Sequence, residues 1–98
     1  MAQRIILYWR DIPAQVIVQE GRRQEKRQLP ERFIRAIDQC AMAAGAKDSD
    51  AYLAEWRRAA PEPCGAELAA EADAAVAGLL ALYDAEHMRR LIANGGKA

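Results

Sequence analysis

The stretch YWRDIPAQV, residues 8–16, decides how this chain begins to fold. Before it, Arg4 to Trp9 is largely apolar, β-branched or aromatic, with the length of a strand; after it, AQVIVQ at 14–19 is similar. Arg10-Asp11-Ile12-Pro13 separates the two, and Pro13, lacking an N–H, suits a corner or a strand's first residue. Period-2 alternation divides the first strand into Ile5, Leu7 and Trp9 against Ile6, Tyr8 and Arg10. It divides the second into Ala14, Val16 and Val18 against Gln15, Ile17 and Gln19. The clean apolar sets are expected to meet helices. The other face, with Ile6, Tyr8 and Ile17 in a polar frame, is a candidate partner site. Asp11 is expected to bind backbone N–H groups in the turn, with Arg10 lying over Tyr8, which is a turn-fixing role and not a catalytic one.

Working outward, Glu20-Gly21-Arg22 reads as a second turn, and RQEKRQL at 23–29 as a third, charged edge strand. Pro30 and Glu31 open a helix whose stripe is Phe33, Ile34, Ile37, Cys40, Ala41 and Ala44, with Gly45 past its end. DSDAYLAEWRRA offers Asp48 and Ser49 as caps, then Tyr52, Leu53 and Trp56 at helical spacing until Pro61 and Pro63 stop it. Gly65 to Asn94 is helical almost throughout. Unbroken it would be roughly 43 Å long, against a diameter of roughly 33 Å for a domain of this size, so a break is expected at Asp84 as a new N-cap. The expected fold class is α+β: a small antiparallel sheet of two or three N-terminal strands packed against three or four C-terminal helices. Residues 1–98 form one domain, with strands in 1–29, helices in 30–94 and a flexible tail at 95–98.

At 52% hydrophobic and 29% charged, the composition is that of a folded globular chain. Net charge is zero, but residues 1–40 carry eight Arg/Lys against five Asp/Glu, and residues 41–98 carry six against nine. This dipolar layout differs from the strongly basic balance of a dedicated nucleic-acid binder. No run approaches the roughly 18 apolar residues of a membrane helix, and no signal-peptide pattern opens the chain. A cytoplasmic location with reduced thiols is the expectation, with no membrane partner.

Catalytic, cofactor and metal residues are not expected. Cys40 and Cys64 lie 24 apart without a CxxC motif, and His87 stands alone in DAEHMRR. Cys40 reads as core. Cys64 sits near a helix N-terminus that favours a thiolate, against which Glu62 and Glu67 act. In EWRR, Trp56 reads as a core anchor, while Arg57 and Arg58 project toward an acidic partner. Ala70, Ala74 and Gly78 form a small-residue seam for packing within the domain or between two copies. The partner-binding candidates are thus Tyr8, Arg10, Ile17, Trp56, Arg57 and Arg58. The alternative is a phosphate- or RNA-binding module using Arg22, Arg23, Lys26 and Arg27, with Tyr8 and Trp9 stacking on bases from an open sheet face. A protein partner ranks first, nucleic acid second, and a homodimer remains open.

RIILYWRDIPAQVIV, a Gly-Arg turn, LPERFIRAIDQCAM and YLAEWRR together resemble the short bacterial "virulence factor" domain proteins over residues 3–58. The Ala-rich helices match only in general character. The resemblance implies a small cytoplasmic domain without a known active site. It also implies an accessory role in one-carbon metabolism, beside tetrahydrofolate and cobalamin methyl-transfer enzymes. It supplies no catalytic residues to carry over.

Overall fold

The computed structural model describes residues 1–45 and 50–98, so the capping candidates Asp48 and Ser49 lie outside the described residues. Three strands come first: β1 (Gln3–Trp9), β2 (Ile12–Glu20) and β3 (Arg23–Gln28). After α1 (Glu31–Ala43) and the short α2 (Asp50–Ala54) come two more, β4 (Trp56–Arg58) and β5 (Glu62–Pro63), and then α3 (Leu68–Leu82) and α4 (Ala85–Ala93). The class is α+β. All pairings are antiparallel, in the order β3-β2-β1-β4, with β5 also on β1.

The third strand and the break at Asp84 follow the expectation. Asp84 caps α4, its side chain accepting the His87 N–H at 2.8 Å. EWRR does not. Instead of extending a helix, Trp56, Arg57 and Arg58 pair with Trp9, Tyr8 and Leu7. The reason lies in β1, which would otherwise leave a row of backbone groups unpaired along an apolar edge. Residues 56–64 run along that edge: Ala59 N–H donates to Ile6 O at 2.9 Å and Cys64 N–H to Ala2 O at 3.1 Å. Pro61 and Pro63, which forbid a helix there, are tolerated on an outermost strand.

The first hairpin also differs from simple alternation. Ile5 faces Ile17, Ile6 faces Val16 and Leu7 faces Gln15; a bulge then shifts the register, so that Tyr8 faces Pro13 and Trp9 faces Ile12. Cross-strand partners share a face. Ile6, Val16 and Val18 therefore lie together under the helices, in the cluster with Phe33, Ile37, Leu68 and Leu79, while Ile5 and Ile17 lie opposite. The expected set Ile5, Leu7 and Trp9 is split by the bulge, and Trp9 alone of the three enters the helix-side core, fully buried.

In α1 the buried stripe is Phe33, Ala36, Ile37, Cys40 and Ala41, while Ile34 is exposed. Ala70, Ala74 and Gly78 face solvent, so the small-residue seam packs no neighbour within the described fold. Residues 95–98 run against the first hairpin. Asp11 N–H donates to Gly96 O at 2.8 Å, and buried Gly96 lies against Ile12 and Trp9.

Candidate functional site

One face of the sheet is made of three cross-strand rows. Gln3, Gln19 and Gln24 form the first; Ile5, Ile17 and Lys26 the second; Leu7, Gln15 and Gln28 the third, with Arg58 beside Leu7 at the β4 edge. Ile5 and Ile17 are 4% and 6% exposed although they lie outside the helix-side cluster. Their cross-strand and same-face neighbours are glutamines, Leu7, Lys26 and Arg58. Gln24, Lys26, Gln28 and Arg58 are exposed. The rows contain five amides and two cations but no carboxylate. Such a face presents hydrogen-bonding amides, with the cations Lys26 on β3 and Arg58 on β4. The glutamine pattern was legible as Gln15/Gln19 and Gln24/Gln28, two pairs at fourfold spacing that pairing brings together.

Ile17 and Arg58 are on this face; Tyr8 and Arg57 are not. They belong to the tip of the first hairpin. The Arg57 guanidinium lies 4.5 Å from the Tyr8 ring centroid and donates to Arg10 O and to Asp11 Oδ1, both at 3.0 Å. Arg10 lies over Trp9, at 4.8 Å, and not over Tyr8. Its backbone φ of +53° is in the left-handed region, at a cost of about 1–2 kcal/mol for a residue with a Cβ. Several contacts hold it there: its N–H donates to Glu55 O at 3.0 Å, and Nη1 donates to Gly95 O at 2.7 Å. Trp56 is half-buried, edge-on to Tyr52, which is tilted against Trp9.

Asp11 was expected to bind its own turn. Its Oδ2 accepts instead from Ala98 N–H at 2.7 Å. That bond is the largest influence on the carboxyl; burial opposes it, and the hydrogen bond and charge of Arg57 add to it, so that the carboxyl stays below its ordinary range. Arg57 and Asp11 thus fix the tip to β4 and to residues 95–98, whereas Arg58 and Lys26 have no ion-pair partner among the described residues.

The basic run does not converge on one patch. Arg27 donates to Asp73 at 2.9 Å and to Glu25 at 3.0 Å, on the helix side. Arg23 is 3.9 Å from Glu20, Arg22 sits in the turn, and Lys26 points to the opposite face. With Trp9 fully buried, its ring is closed to stacking on a base.

Cys40 is 1% exposed, and burial raises its thiol pKa. Cys64 is half-buried, and burial followed by the Glu71 charge raises its pKa too, which outweighs any help from the start of α3. The His87 ring stacks on Tyr83 at 4.6 Å, with Nδ1 2.8 Å from Leu82 O. Among the described residues, no three His, Cys, Asp or Glu side chains gather as a metal site, and no helix is long and apolar enough to cross a membrane.

A family model described as "Virulence factor" matches residues 7–92. The match extends beyond the first three strands through the Ala-rich helices into α4. No curated protein and no solved structure matches the chain.

Proposed function

The chain belongs to the virulence factor family, and from that premise we propose that it is a non-enzymatic accessory domain that binds a protein through the open face of its sheet. The observation that carries this reading is the pairing of two unneutralised cations, Lys26 and Arg58, with a carboxylate-free frame of amides around Ile5 and Ile17. A complementary partner presents carboxylates and backbone carbonyls on a flat surface. A second copy docked face to face would bring cations against cations, which disfavours self-association here. An enzyme of tetrahydrofolate or cobalamin methyl transfer is the partner class suggested by the family resemblance. The groups that chemistry would require are otherwise engaged: Cys40 is enclosed, Asp11 is bonded on both oxygens, and His87 is stacked.

The test is a tagged pull-down from native extract at low and high salt, with the retained protein then purified and titrated. Wild-type protein is expected to hold one partner, and the double variant Lys26→Glu/Arg58→Glu to lose at least tenfold in affinity with an unchanged melting temperature. Equal binding by the folded double variant refutes the assignment of the face. Retention of nucleic acid that is lost with salt favours the phosphate-binding alternative.

A further inference from the structure

We propose that the groove between α1 and α4 docks an amphipathic helix of a partner protein, one whose apolar stripe is flanked by carboxylates. The groove is a wide, open depression of about 820 Å³ on the helix layer, across the sheet from the open face. Its apolar lining is Leu80 from α3 with Met88 and Ile92 from α4. Met88 and Ile92 are four apart on one face of α4, so the lining is a stripe running along the helix axis. An apolar stripe of this kind accepts a helix through side chains at its own i, i+3, i+4 and i+7 positions.

Charge selects among helices. Arg32 and Arg89 stand on the two sides of the groove. The Arg32 guanidinium is fixed over the Phe33 ring at 4.4 Å and donates to Tyr83 O at 2.9 Å. Both of those partners are neutral, so its charge remains available. Arg89 is exposed, without an ion pair among the described residues. The one carboxylate in the lining, Asp84, accepts the His87 N–H as the α4 cap and keeps its charge, so the cations of the groove outnumber it two to one. With Arg32 from α1 and Arg89 from α4 bordering an apolar floor, carboxylates flanking the incoming stripe are favoured, where Arg forks bind bidentately. The proposal shares with the accessory reading only the existence of a protein partner, and it concerns a different surface.

The test uses a fluorescein-labelled amphipathic peptide of about 15 residues, long enough for a marginal helix, with a leucine stripe flanked by glutamates. A control peptide carries lysines instead. Anisotropy titrations should show saturable binding of the glutamate peptide at least tenfold tighter than the lysine peptide. Arg89→Glu should weaken it at least tenfold. Ala85→Trp should block it by filling the groove from an exposed position that leaves the core untouched. The Lys26→Glu/Arg58→Glu variant should bind the peptide as wild type does, which separates this site from the open face. No binding by either peptide, equal binding by both, or wild-type affinity in folded Arg89→Glu and Ala85→Trp overturns the proposal. A concentration-dependent dimer that Arg89→Glu dissociates also overturns it, by assigning the groove to a second copy.

Discussion

Replacing Gly96 with alanine tests whether residues 95–98 are truly packed onto the hairpin tip. Gly96 has φ +87°, and a Cβ there would stand 3.4 Å from Ile12 Cδ1 and from Trp9 Cζ3, and 3.6 Å from Arg10 Cδ. Gly21, with φ +60°, has nothing within 4 Å of the same atom. The two variants share the backbone penalty of placing an L-residue in the left-handed region, about 1–2 kcal/mol. Only Gly96→Ala sets its methyl against side chains, at the 3.4 Å limit of ordinary van der Waals contact, and Ile12 and Trp9 are both 0% exposed, so neither can swing aside. A methyl held at that limit adds at most about 1 kcal/mol. Gly21→Ala should therefore lower the melting temperature by about 4–8 °C for each kcal/mol of backbone strain, and Gly96→Ala by up to about 4 °C further. Thermal unfolding followed by circular dichroism measures both, with Trp9 and Trp56 fluorescence as a second probe of the tip. Equal shifts for the two variants would refute the packed tail, and with it the clamp that positions β4.

Two further predictions concern titratable groups. The Asp11 carboxyl is held below its ordinary value of 3.8, so its contribution is fully present above the unfolded value and is lost as pH falls through the lower folded value. The melting-temperature gap between wild type and Asp11→Asn should thus be constant above about pH 4 and close below it. With 37% of the side chain exposed, screening keeps the gap small, and a gap that widens in acid would contradict the assigned bonds. Cys64, its pKa raised by burial and by Glu71, should react with iodoacetamide at neutral pH more slowly than a free cysteine, and Glu71→Gln should speed it. Alkylation of Cys64 faster than free cysteine would instead indicate an activated thiolate.

What the sequence disclosed, and what it concealed, follows from how local each signal is. The charged third strand, the α1 stripe and the Asp84 cap rest on neighbours within a few residues, and all three appear in the fold. EWRR has helical spacing, yet its fate was set by the free edge of β1, about 50 residues away in sequence, whose backbone needed partners. The face of Ile5 and Leu7 depended on register, and a register is invisible to alternation when both faces carry apolar residues. One bulged residue in β2 then sufficed to separate them from Trp9. The open face is half legible: alternation places Ile17 with Gln15 and Gln19 in a polar-framed patch, but it adds Tyr8 to that patch and sends Ile5 to the helix side. Arg57 and Arg58, adjacent in sequence, point to opposite faces once they are in a strand. One serves the tip and the other the open face.

The same pairing explains how the positive first half of the chain presents its charge. On the helix side, Arg4 lies 3.5 Å from Glu62, and Arg27 lies 2.9 Å from Asp73, so residues of the acidic second half neutralise cations of the first. On the open side there is no such exchange, because its rows hold no carboxylate and the acids of α1, α3 and α4 lie on the other layer. A formally neutral chain thus keeps a positive face. Its footprint is modest: four strands spaced about 4.8 Å apart and about 20 Å long cover on the order of 300–400 Å². Stable complexes bury about 800 Å² on each side. The open face by itself therefore suits a contact that forms and releases. The proposed groove on the opposite layer would give such a domain a second contact, and two weak contacts engaging one partner at the same time would bind far more tightly together than either does alone.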